Sequence, residues 1–159
     1  MLSQNVSSAE NQQESQFLKG WIVGIVDGEG CFSVSVLKNA TTANGFQIFP
    51  EFVVTQGEKS LSSLKTIQKF FGCGNIFVNR RKDNHNENLY RFCVRSVKDL
   101  SEKIIPFFEN NSLKTAKAKD FQIFKAVVER MKKGKHLTKN GFMSILKKIS
   151  KMNRQKIRN

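Results

Sequence analysis

The chain has 159 residues, 39% of them hydrophobic, which suits one well-filled core and a single domain. Its 27 Lys and Arg against 13 Asp and Glu leave a formal charge of +14, far from an ordinary neutral domain, and imply a polyanionic partner: nucleic acid first, an anionic membrane surface second. Three cysteines, none spaced as CxxC, and two histidines remote from them argue against a disulfide framework and against a zinc site.

The odd cysteine count without a signal peptide points to an intracellular, reducing compartment, a bacterial cytoplasm or an organelle. No apolar run reaches the roughly 18 residues of a bilayer span, so no membrane partner is expected. The charge is uneven: no acidic residue follows Glu129, whereas eleven Lys and Arg do.

From Ser3 to Gln16 the chain is polar, carries Glu10 and Glu14 and has no Arg or Lys, unlike a secretory or mitochondrial presequence. Residues 1–16 read as a disordered leader, 17–153 as one domain and 154–159 as a basic tail. Leu18 onward is apolar nearly all round and reads as a buried or partnered helix, ending in Asp27-Gly28-Glu29-Gly30. Gly20, Gly24 and Gly28 fall on one helical face. Each costs about 1 kcal/mol of helix propensity against alanine, and what such a stripe permits is close approach of a second backbone. Asp27 and Glu29 lie at the negative end of the helix macrodipole, where carboxylates are disfavoured. Two acids set against the dipole call for a cation.

The period then changes to alternation. Phe32, Val34 and Val36 face one way and Ser33, Ser35 and Leu37 the other, a half-buried strand. A loop containing Asn44-Gly45 leads to a strand over 46–56, with Ile48, Phe52 and Val54 inward, Gln47, Glu51 and Thr55 outward, and Pro50 marking an edge or a bulge. Ser60 is a candidate N-cap for a helix through Leu61, Leu64, Ile67, Phe70 and Phe71, closed by Gly72.

A third strand follows over 74–80, with Ile76 and Val78 inward and Asn75, Phe77 and Asn79 outward. The charged turn from Arg81 to Asn88 joins it to Leu89–Val94, whose Tyr90, Phe92 and Val94 face the core and whose Arg91 faces out, as does Arg95 beyond it. Val97 to Phe108 reads as a helix that Pro106 kinks or ends, Lys114 to Met131 as another closed by Gly134, and Thr138 as the cap of a last one reaching about Met152. The class is α+β, an αββαββα succession with an extra C-terminal helix and one antiparallel sheet covered by helices on one side.

The uncovered sheet face presents mostly Ser, Gln, Asn, Thr and Arg, side chains that reach base edges and phosphates, and a two-stranded ribbon fits the major groove. Ser33, Ser35, Gln47, Glu51, Thr55, Asn75, Asn79 and Arg91 are the candidate DNA contacts, with Arg81 at the turn and Leu37 and Phe77 placed to meet thymine methyls.

Ile22-Val23-Gly24-Ile25-Val26-Asp27-Gly28-Glu29-Gly30 resembles, position by position, the nine-residue motif of the LAGLIDADG homing endonucleases. The resemblance continues through Phe52-Val53-Val54-Thr55-Gln56, Phe71-Gly72-Cys73-Gly74-Asn75-Ile76, Tyr90-Arg91-Phe92, and Leu113-Lys114-Thr115-Ala116-Lys117 followed by Asp120-Phe121. It implies a saddle-shaped sheet on double-stranded DNA and motif helices paired at the centre. With one motif in the chain, it implies a homodimer with Gly20, Gly24, Asp27 and Gly28 at the interface and a long, pseudo-palindromic target.

It also implies that Glu29 is the metal-binding acid, assisted by the Gly28 carbonyl. A carboxylate approaches a phosphate only across a divalent cation, and Mg2+ suits such hard oxygen ligands. Asp27 is open to capping, interface or metal roles. Gln56 matches the family's polar residue at the end of the second strand, and Lys114 or Lys117, the latter preferred, its basic residue. The expected activity is site-specific, metal-dependent DNA cleavage in intron homing; the alternatives are an RNA-binding maturase with the host intron as partner, and a catalytically silent DNA-binding protein.

Overall fold

The computed structural model describes residues 2–80 and 87–152. Helix α1 runs over Leu2–Glu29, strand β1 over Gly30–Lys38 and β2 over Phe46–Gly57; α2 is Leu61–Phe71, β3 Asn75–Asn79 and β4 Leu89–Val94. Then come α3 (Val97–Asp99), a π turn (Leu100–Ile104), α4 (Ile105–Asn110), α5 (Lys117–Lys132) and α6 (Lys139–Ile149). The strands form one antiparallel sheet in the order β1-β2-β4-β3, so both expected hairpins are present and β2 pairs with β4 across the middle.

Register explains Pro50. It pairs with Val34 of β1, while β4 joins β2 only from Phe52 onward, so Pro50 lies where β2 has one neighbour and its missing N–H breaks no second ladder. No bulge interrupts the β1–β2 register.

Even-numbered residues of β1 from Phe32 to Val36 and of β2 from Ile48 to Val54 turn toward the core, where Phe32 stacks on Phe52 at 5.0 Å between ring centroids and meets Phe108 and Phe124 edge-on or tilted at 5.4 and 5.3 Å. Ile22 and Val26 of α1 are fully buried against this cluster. A smaller cluster of Ile48, Val127, Phe142 and Ile145 fixes α5 and α6 beneath the far end of the β1–β2 hairpin.

Several expectations need correction. The stretch read as a disordered leader is helical from Leu2 and continuous with α1. It contains neither Gly nor Pro before Gly20; its polarity signals the lack of a buried face, and residues 9–17 are indeed exposed. Val78 is 45% exposed because β3 is a five-residue edge strand. Ser60 stands at the start of α2 but makes no side-chain cap, a 3-10 turn at Glu58–Ser60 having begun the helix. Pro106 does not end its helix: it stands in the first turn of α4, just after a π turn at Leu100–Ile104, and the helix continues to Asn110. Helix α5 starts at Lys117, three residues later than the pattern suggests. Arg81 and the basic tail at 154–159 lie outside the described residues.

Candidate functional site

The site grows from the junction of α1 and β1. Gly30 is buried there, and a Cβ at that position would come within 2.6 Å of the Val26 side chain and 2.7 Å of its carbonyl oxygen; only glycine lets the strand leave the helix so sharply. A helix end leaves carbonyls without intrahelical donors. Lys117 supplies them: its Nζ donates to the carbonyl oxygens of Val26 at 3.1 Å, Asp27 at 2.8 Å and Gly28 at 2.7 Å.

Asp27 reciprocates towards the segment that carries Lys117. Its carboxylate accepts from the N–H of Lys114 at 2.7 Å, the N–H of Thr115 at 3.2 Å and the Thr115 hydroxyl at 2.8 Å. Partial burial pushes the Asp27 carboxyl upward, but these three bonds and the Lys117 charge together outweigh it and hold the group below its ordinary range. The end of α1 and the turn before α5 are therefore clasped twice, each side capping the other. Asp27 takes the capping role, its carboxylate committed to bonds within its own chain. Thr115 received no role from the sequence; the signal available was a Thr two residues before a helix, where such hydroxyls bond to nearby backbone.

Glu29 is exposed and, among the described residues, has no hydrogen bond or ion pair. Gln56 is the last residue but one of β2, opposite Tyr90 of β4 and two residues beyond Val54, which pairs with Gly30. Lys114 offers the site a backbone N–H, and its side chain is exposed. Among the described residues no cluster of three His, Cys, Asp or Glu could enclose a metal. One free carboxylate still fits a hard cation that keeps waters and takes further oxygens from phosphates. The Gly28 carbonyl already accepts from Lys117, which leaves it one lone pair.

The other sheet face has its own organisation. Glu51, with a side chain only 14% exposed, bonds Arg91 at 3.0 Å through one oxygen and Arg95 through the other. The Arg95 guanidinium lies 5.6 Å from the Phe49 ring centroid and 5.4 Å from that of Phe77. Glu51 is thus the anchor of an arginine network, and Arg95, whose outward direction was legible but whose place in the face was not, belongs with Arg91. Beneath it Val53 and Cys93 are buried, so the face is not uniformly polar. Burial pushes the Cys93 thiol up, Glu51 adding to the effect and the two arginines opposing it.

Ser35, Leu37, Gln47, Asn75, Phe77 and Asn79 are exposed on this face, with Ser33 and Thr55 half-buried. Ser33 spends its hydroxyl on the Glu51 carbonyl at 3.4 Å, and Gln47 is bonded by Asn39 at 3.1 Å. On α1, Gly20, Gly24 and Gly28 are exposed with no atom within 4 Å of where a Cβ would stand. No helix among the described residues is long and apolar enough to cross a membrane.

A family model described as LAGLIDADG endonuclease matches residues 22–128. A probable intron-encoded endonuclease of Neurospora crassa is 34% identical over 134 residues, 84% of this chain but 28% of its own length. Among solved structures, the homing endonuclease I-TnaI superposes with a TM-score of 0.76 at 39% identity, covering 87% of this chain and 89% of that one. The I-SmaMI LAGLIDADG homing endonuclease, bound to an uncleaved DNA target in the presence of calcium ions, gives 0.77 at 34% identity, covering 85% of this chain and 44% of that one.

Proposed function

The chain belongs to the LAGLIDADG endonuclease family, and on that premise we propose that it cuts double-stranded DNA at a long, pseudo-palindromic site, in intron homing, by metal-dependent phosphodiester hydrolysis. The observation that carries the reading is the contrast at the end of α1: the Asp27 carboxylate and the carbonyls of Val26, Asp27 and Gly28 are satisfied within the chain, while Glu29 beside them has no partner among the described residues.

Glu29 is the residue that would hold Mg2+ or a similar divalent cation, with phosphate oxygens and waters completing the sphere. Such a cation, when bound, screens the phosphate from the carboxylate and activates water. The chain's own residues supply the rest. Lys117 and Asp27 hold the helix end from which Glu29 emerges, and Gln56 is the residue that would orient solvent there. The outward face of the sheet reads the bases, with Arg91 and Arg95 its cationic donors and Asn75, Gln47 and Ser35 its neutral ones.

One unit contributes one such carboxylate. Cutting both strands requires a second, and the open glycine face of α1 admits a partner helix at close range. A second copy of this chain, paired about a two-fold axis through that face, brings two Glu29 side chains together and doubles the read sequence.

The test is cleavage of a duplex carrying the sequence rejoined around the gene's own insertion site, with Mg2+ present. The wild type is expected to cut it; Glu29→Gln is expected to bind it and leave it whole. Equal behaviour of the two proteins ends the nuclease reading.

A further inference from the structure

We propose that the elbow between α5 and α6 is a phosphate clamp for duplex flanking the target, beyond the reach of the sheet; this rests on the DNA-cutting reading above. The elbow carries Lys132, Lys133, Lys135 and Lys139, all exposed and none in an ion pair among the described residues. No acid follows Glu129 in the chain to neutralise them.

The elbow is also built into the far end of the reading ribbon. The Asn44 amide, in the loop joining β1 and β2, donates to the carbonyl oxygens of His136 at 3.3 Å and Leu137 at 3.4 Å. Phe46, where β2 begins, stacks on Phe142 of α6 at 5.9 Å. The elbow itself is tightly wound. Gly134 adopts φ 68°, and a Cβ on Gly141 would fall 1.9 Å from the Lys135 carbonyl oxygen, so the backbone closes there only on glycine. Thr138 caps α6 through the Gly141 N–H at 3.2 Å.

Position along the DNA follows from the ribbon's length. β1 starts beside Glu29 and its nine residues, at about 3.3 Å each, carry the hairpin roughly 30 Å outward. With base pairs about 3.4 Å apart, that is roughly nine base pairs from the cut. The Asn44 and Phe46 contacts attach the elbow to that end of the ribbon, where a ribbon in the groove ends and only the phosphate backbone remains to be held.

The experiment compares two duplexes centred on the rejoined insertion site, one with about 8 base pairs on each side, too short to reach the elbow, and one with about 20. The protein is wild type, a variant with Lys132, Lys133, Lys135 and Lys139 all changed to Gln, and a charge-matched control with the exposed Lys59, Lys65, Lys69 and Lys98 changed to Gln. Binding is followed as a function of salt. On the long duplex the elbow variant is expected to lose slope by about 0.9 for each phosphate contact removed, up to about 3.6 per bound chain; on the short duplex it should match wild type.

An equal loss on both lengths, no loss on either, or the same length-dependent loss from the control would overturn the clamp. Wild type that binds neither duplex overturns the nuclease reading, and the clamp with it.

Discussion

Replacing Lys117 by Met removes the ammonium while keeping most of the stem, and the structure gives the size of the effect to expect. Three carbonyl oxygens at the end of α1 lose their donor together. A hydrogen bond to a charged group contributes about 1.5–3 kcal/mol, but one ammonium is shared among three acceptors here and Lys117 is only half-buried, so water recovers part of the loss. A cation at a helix C-terminus contributes about 0.3–1 kcal/mol, and up to about 2 kcal/mol where it is partly buried. Both routes converge on a cost near 2 kcal/mol, which for a domain of this size lowers Tm by about 4–8 °C. Thermal melts followed by circular dichroism, without DNA or metal, measure it directly. Lys117→Arg should fall in between, since a planar guanidinium keeps the charge but does not converge on three carbonyls. A Tm for Lys117→Met within about a degree of wild type would refute the argument, because the ammonium would then contribute nothing to the fold and the clasp would not exist in solution.

Three further outcomes follow from named contacts. Asp27 has its folded pKa depressed, so its stabilisation is complete above the unfolded value near 4 and fades as pH falls through the folded one. The Tm gap between wild type and Asp27→Asn should be constant from pH 7 to about 5 and narrow below about 4; a gap that persists undiminished at pH 3 counts against the clasp. Glu51→Gln releases Arg91 and Arg95, and should steepen the salt dependence of DNA binding by about 0.9 for each arginine that reaches a phosphate, at the cost of sequence discrimination. An unchanged slope on target and unrelated duplexes would show that neither arginine was restrained. Gly24→Leu enters open space in the isolated chain and should leave the melt of dilute protein unharmed while abolishing association in sedimentation and cleavage with it. A variant that still associates like wild type places the interface elsewhere.

How far the sequence could be read depends on the range of the interactions that shape each segment. The strands and their facing were legible because alternation reports burial locally: every even-numbered residue from Phe32 to Val36 and from Ile48 to Val54 turns inward. Gly72 and Gly134 marked helix ends because the left-handed conformation they adopt is a local requirement. The start of α5 was not legible. Lys114 has good helical propensity, yet its N–H and that of Thr115 are held by Asp27, 87 and 88 positions earlier, a long-range anchor that fixes this segment as the turn before the helix and that no local pattern reports. The same distance hid the role of Thr115. On the sheet face, composition indicated polar character but not pairing: that Glu51 holds two arginines follows from the β2–β4 register, which no single strand encodes.

The two acids at the end of α1 posed one electrostatic problem and the structure solves it twice over, differently for each. Both lie where the helix dipole is negative, and an unsupported carboxylate there is disfavoured. For Asp27 the support is internal, two backbone N–H groups and a hydroxyl brought from the turn before α5, and the helix end itself is neutralised by Lys117. With those donors committed, Glu29 has none among the described residues and emerges exposed from the same turn, just before the close-packed Gly30. A fold that gathers four donors around one carboxylate and its helix end, and withholds them from the next but one residue, keeps that second charge available. The dipole argument that called for a cation beside both acids therefore applies to one of them, and Glu29 is the position where a ligand brought by the DNA complex would complete the balance.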